Sequence, residues 1–144
     1  MISVKRLLEG KKMPRLITLR PDHTVIEALQ LMADKNIGAI MVMDGDRLVG
    51  IFSERDYARK GIIQGRKAKS TPLTEVMISD VITVSPDMDI EDCMNLFIDK
   101  YIRHLPVVKD GQVIGMLSIG DIVNAIIKDQ LDHINFLEQY ITRG

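Results

Sequence analysis

The sequence predicts a mixed α and β fold (α+β): two β-α-β-β-α units packed as a pseudo-two-fold pair, with a short N-terminal helix and a longer C-terminal helix outside them. Three observations predict it. The chain repeats itself at a constant offset, each copy carries an apolar stripe of helical period, and each stripe is followed by two short apolar runs separated by turn residues.

The repeat is the strongest of the three. Ile17-Thr18-Leu19-Arg20-Pro21-Asp22 matches Ile82-Thr83-Val84-Ser85-Pro86-Asp87, an offset of 65 residues. The register continues without a gap through Asp34-Lys35 and Asp99-Lys100, Gly50 and Gly115, Ser53 and Ser118, and Asp56 and Asp121. In each copy a short extended piece, Leu16 to Leu19 in the first, ends at Pro-Asp. A helix follows. Thr24 and Glu27 have the spacing of a capping box, which Asp89 and Asp92 imitate less well. Val25, Ala28, Leu29 and Met32, and in the second copy Ile90, Cys93, Met94 and Phe97, fall at i, i+3, i+4 and i+7, so each helix buries one face.

The runs Ala39 to Met43 and Leu48 to Phe52 flank Asp44-Gly45-Asp46 and read as a hairpin. Leu105 to Val108 and Val113 to Leu117 repeat it around Asp110-Gly111. A second helix is expected from near Ser53 to about Lys60, and from near Ser118 to about Lys128. Three strands and two helices are too few to bury a sheet alone, so the copies are expected to pack sheet to sheet. The resulting divisions are an N-terminal helical segment (1–13, helix Val4 to Glu9), repeat one (14–62), a linker (63–76, with a helical turn at Pro72 to Met77), repeat two (77–128) and a C-terminal helix (129–144).

Bulk properties narrow the function. The chain has 144 residues, 46% hydrophobic and 27% charged, with a net charge of −1. That balance offers no basic field for nucleic acid or an anionic membrane, so neither is an expected partner. No apolar run approaches the ~18 residues of a membrane span, and the N-terminus lacks the apolar core of a signal peptide. The one cysteine, Cys93, suits a reducing compartment and lies on the core face of its helix. A cytoplasmic protein is expected. The three histidines show no metal-ligand spacing, so no metal is expected. Arg66-Lys67-Ala68-Lys69 reads as a solvated linker.

The residues that point to chemistry are the two Ser-x-x-Asp turns, Ser53 to Asp56 and Ser118 to Asp121. Each follows a strand and opens a helix, where unpaired N–H groups and the positive dipole end favour an anion. The serine can donate to a phosphate, and the aspartate one turn on can accept ribose hydroxyls. The same spacing is a capping box with Asp in place of Glu, and the two roles can coexist. Arg55 beside Asp56 can pair with phosphate, whereas Gly120 holds the matching place in copy two. The sites are therefore expected to be unequal.

Val49-Gly50-Ile51-Phe52-Ser53-Glu54-Arg55-Asp56 and Ile114-Gly115-Met116-Leu117-Ser118-Ile119-Gly120-Asp121 resemble the end of the CBS repeat, the family named after cystathionine β-synthase. Ile102-Arg103-His104-Leu105-Pro106-Val107-Val108 is similar to that family's middle strand. The resemblance implies a stand-alone tandem pair, a Bateman module of bacterial type. Such a module has two clefts for adenosine ligands such as AMP, ATP, NAD(H) or S-adenosylmethionine, and it usually forms a homodimer. It also implies cleft linings. Arg103 and His104 would face phosphates, and adenine would lie between the backbone near Thr18 or Thr83 and Ile37 or Ile102, with Gly38 and Ala39 small enough for close approach. Each cleft would draw on both repeats: Asp121 with Thr18 and Ile37, Gly38 and Ala39; Asp56 with Thr83 and Ile102, Arg103, His104 and Leu105.

The function expected is an adenine-nucleotide-sensing regulatory module that signals to a partner protein of unknown identity. A purely structural dimerisation unit is one alternative. A nucleotide-processing enzyme is the other, but no P-loop, Rossmann fingerprint or nucleophile paired with a base is present, so no catalytic residue is assigned.

Overall fold

The computed structural model describes residues 2–11 and 16–143. The expected boundary between residues 13 and 14 lies outside them. In chain order the elements are α1 (Val4–Glu9), β1 (Thr18–Leu19), α2 (Val25–Lys35), β2 (Ala39–Asp44), β3 (Arg47–Ser53), α3 (Glu54–Asp56), α4 (Ile90–Lys100), β4 (His104–Lys109), β5 (Gln112–Ser118) and α5 (Ile119–Arg143). A π-helical segment, Tyr57–Ile62, continues α3, and a 3-10 turn, Leu73–Glu75, lies in the linker.

The helix signals act as the sequence reading requires. Thr24 and Glu27 form a reciprocal capping box at the start of α2. Asp89 caps α4 through the N–H of Glu91 instead of Asp92, a shorter reach that leaves its box open. Both helices stop at a residue in the left-handed conformation, Asn36 (φ 53) and Tyr101 (φ 55), again at matching positions. Asparagine tolerates that region; for tyrosine it is strained, and the residue is 82% exposed, so packing gives little in return.

In repeat one, β1 runs parallel to β2, which is antiparallel to β3. In repeat two, β4 and β5 form a hairpin, and the equivalent of β1 shrinks to one parallel bridge, Val84 to Val107. The hairpins are in identical register: Ala39 faces Ser53, and His104 faces Ser118.

Each repeat has its own core. Ile40, Val42 and Phe52 pack with Val25, Ala28 and Met32 in the first; Leu105, Val107 and Leu117 pack with Ile90, Cys93 and Phe97 in the second. The cores are completed crosswise. Val4 of α1, ahead of repeat one, is buried in the second core, with Leu7 and Leu8 against it. The linker residues Leu73 and Val76, ahead of repeat two, are buried in the first. Backbone bonds fix both crossings: Val4 donates to the Met88 carbonyl (2.8 Å), and Ile51 and Ile78 exchange bonds of 2.9 Å. The sheet glycines fit these covers. A Cβ on Gly50 would fall on the Met77 sulfur, and one on Gly115 would lie 2.8 Å from Leu8 Cδ2.

The second helices differ most from expectation. The first is a three-residue α-turn running into the π segment, where Gly61 is buried against the Tyr57 ring. In repeat two Ile126 stands where Gly61 does in repeat one, and α5 continues unbroken for 25 residues. The break expected near Lys128 does not occur, because no glycine, proline or cap interrupts the helix there. No helix among the described residues is long and apolar enough to cross a membrane.

Candidate functional site

The strand pleat gives each hairpin two faces. Ile40 and Val42 enter the first core, which sends Ala39 and Met41 to the other side. Those two are nevertheless 1% and 2% exposed. The other repeat covers this face: Gly38 lies against the His104 ring, and a Cβ added to it would stand 3.6 Å from the ring's Cε1. Between the repeats lies a cavity of about 370 Å³. Asn36, Ile37, Gly38, Ala39 and Met41 line it from repeat one, and His104, Met116, Ser118 and Asp121 from repeat two. Leu8 and Lys11 of the N-terminal segment close one side.

At its polar end, the Ser118 N–H donates to Asp121 Oδ2 (2.8 Å), and the Asp121 N–H donates to Ser118 Oγ (3.1 Å). This is a capping box, and it opens the longest helix in the molecule. The Ile119 N–H donates to the Arg103 carbonyl (2.8 Å), tying the helix start to the head of β4. Lys11 Nζ donates to Asp121 Oδ2 (2.7 Å) and to the Met116 carbonyl (2.9 Å). Oδ1 takes part in none of these bonds.

The charges are held unevenly. Burial raises the Asp121 carboxyl, but the bonds from Lys11 and Ser118, with the lysine's charge, outweigh it and hold the group below the usual carboxylate range. Burial pushes the His104 imidazole below its ordinary value; Asp121 opposes this, Lys11 and Arg103 reinforce it, and Asp56 opposes it weakly. His104 is thus held toward its neutral form between the two aspartates.

The copy-one turn is built alike. Ser53 donates to Asp56 Oδ2 through its N–H and through its hydroxyl (both 2.9 Å), and accepts from the Asp56 N–H (3.2 Å). Its α-turn, Glu54–Asp56, runs on into the π segment Tyr57–Ile62, a shorter helical run than the 25 residues of α5. Arg55 is exposed beside it.

The structure gathers Ser118, Asp121, Ile37, Gly38 and Ala39 in one cavity, and the adjoining residue Ile17 in place of Thr18. Thr18 pairs with Met41 on β2. The resemblance puts His104 on the Asp56 side; its ring also lines the Asp121 cavity, because it projects from the face of β4 opposite Leu105, and the charges of both aspartates reach it. Leu105 is wholly buried in the second core and does not line the cavity. Ile102 packs against that core, Arg103 is exposed, and Thr83 is exposed in a separate depression beside Arg47 and Val113. Lys11 is the charged residue of the cavity lining that the motifs do not point to. Its match in the repeat is the buried Val76, and a lysine standing against a core valine is the signal that marks it. Among the described residues no cluster of three or more metal-ligating side chains occurs.

Comparison with known proteins identifies the family of the fold. The CBS domain family profile matches residues 11–62 and 73–128. The mitochondrial CBS domain-containing protein CBSX3 of Arabidopsis thaliana is 41% identical over 128 residues, covering 85% of this chain and 62% of that protein. The chain therefore spans less than two thirds of that relative's length. A CBS-domain structure from Burkholderia ambifaria MC40-6 superposes with a TM-score of 0.87 at 41% identity, covering 90% of this chain and 96% of that one. CBSX2, solved in complex with AMP, shares the fold at 24% identity and a TM-score of 0.74, covering 89% of this chain and 98% of that one. The chain belongs to the CBS domain family and carries a tandem pair of its repeats.

Proposed function

We propose that the chain is a non-catalytic adenine-nucleotide sensor whose principal ligand site is the cavity between the repeats. The observation that carries this is the meeting, in one cavity, of a helix-start carboxylate from repeat two with the small and apolar residues 37–39 of repeat one. A base fits against Ile37, Gly38 and Ala39, and the ribose reaches Asp121. Ser118 and the start of α5 then meet the phosphate end. A site assembled from both repeats reads their relative pose, so a ligand that prefers one pose shifts it for a partner protein to detect. The Asp56 turn is a second, inequivalent site. The exposed stripe on α5 supports a homodimer.

Isothermal titration with AMP, ATP, NAD(H) and S-adenosylmethionine tests the reading. At least one binds, and Asp121→Asn weakens it by about tenfold or more while the ligand is recovered chemically unchanged. Binding by none of the four, or equal binding by the variant, rejects the assignment.

A further inference from the structure

Lys11 has no place in the nucleotide-sensing reading so far. Its ammonium, on a side chain only 29% exposed, lies 2.7 Å from the carboxylate that would take the ribose and also holds the Met116 carbonyl. Helix α1, just before it, is bolted to repeat two by the Val4 and Lys5 backbone bonds, so Lys11 is held at the cavity rather than trailing in solvent. Among the described residues no ion pair holds Asp56, and the repeat offset puts Val76 in the lysine's place.

A ribose that takes Asp121 must compete with Lys11. A displaced ammonium in a half-buried site needs another anion nearby, because an unpaired charge is costly there. An unphosphorylated nucleoside brings none. A nucleotide brings its phosphate to the same end of the cavity. We infer that Lys11 is a built-in counter-ion that exchanges Asp121 for the ligand's phosphate, making this cleft selective for phosphorylated nucleosides over neutral or cationic adenosine compounds. S-adenosylmethionine, with a sulfonium where AMP has its phosphate, is disfavoured by the same charge. This rests on the sensor reading and adds to it the ligand's charge class.

The test is a comparison of AMP with adenosine, by titration calorimetry on the intact protein and on Lys11→Met and Lys11→Arg. The parent binds AMP about tenfold or more tightly than adenosine, and raising the salt weakens AMP selectively. In Lys11→Met the two affinities converge, adenosine gaining as Asp121 is released and AMP losing its counter-ion. Lys11→Arg keeps the preference. Thermal unfolding of each variant checks that the fold survives, and the ratio of the two affinities cancels any general weakening. An unchanged ratio in Lys11→Met overturns the inference while leaving the sensor reading intact. A parent that binds neither compound overturns the inference, and the sensor reading falls with it only when ATP, NAD(H) and S-adenosylmethionine fail to bind as well.

Discussion

Two side chains, Asp121 and His104, set the chemistry of the cleft, and both respond to pH. The Asp121 carboxyl is held low in the fold, so its contribution to stability is present above the ordinary carboxyl range and is lost as pH falls through that range to its own lower value. The His104 imidazole is also held below its ordinary 6.5. The unfolded chain therefore takes up that proton first, and the fold loses stability as pH drops below about 6.5. Asp121, Lys11, Arg103 and Asp56 are the charges that bear on the ring. The melting temperature should fall between pH 7.5 and 5.5 in the parent, and fall less in His104→Gln. Equal losses would show that the imidazole is not responsible. Cys93 has no such role: burial, followed by Asp92 and Asp89, pushes its thiol up to about 11, which leaves it unreactive at neutral pH.

At the scale of elements, the strand and helix order is legible because two copies spell it twice. α1, the capping box at Thr24 and both hairpins lie where period and turn residues put them. The single long α5 is not legible as one helix, since the end of the repeat resembles a boundary although no residue there stops a helix. The crosswise covering is also hidden. Whether Leu8 serves repeat one or repeat two depends on where the chain crosses, and periodicity carries no such information. The same blindness explains Lys11, which meets a carboxylate 110 residues away in sequence. Leu105 and His104 look like cleft neighbours because they are adjacent, yet adjacent strand residues face opposite ways. The crossing makes its own prediction. Gly50→Ala should cost about 1–3 kcal/mol by forcing the Met77 side chain off β3, whereas at Gly115 only the tip of Leu8 has to move and Gly115→Ala should cost less. Denaturant unfolding of Gly50→Ala with Met77→Ala should show a smaller loss than the two single changes added together. Strict additivity would mean that the contact is not what glycine preserves.

At the scale of the whole molecule, α5 does two jobs. Its first turns carry Asp121 and bury Ile122 in the second core. From Ile127 to Ile141 every residue is exposed, although Ile127, Ile134 and Ile141 recur every seven residues, with Leu131 and Leu137 beside them. A helix segment of that length is marginal alone in water, and its apolar seam calls for a partner helix. On the proposed reading, a homodimer through this seam would join the ligand site to its readout, since the same helix begins beside Asp121, the carboxylate that would take the ribose. Ile134→Lys with Leu137→Lys should weaken self-association by more than about 100-fold, as two such side chains contribute about 3–6 kcal/mol when buried. Light scattering after size exclusion would check this; a double variant with the parent's mass at every concentration would place the seam elsewhere.

The crosswise covers bear on the molecule's ancestry. Each repeat is closed by the stretch that precedes its twin, so neither half owns a complete interior. That is the topology of two identical chains that have traded their leading segments and then been spliced end to end. With both halves in one chain, matching positions are not bound to be alike, and a lysine stands at one of them where a valine stands at the other.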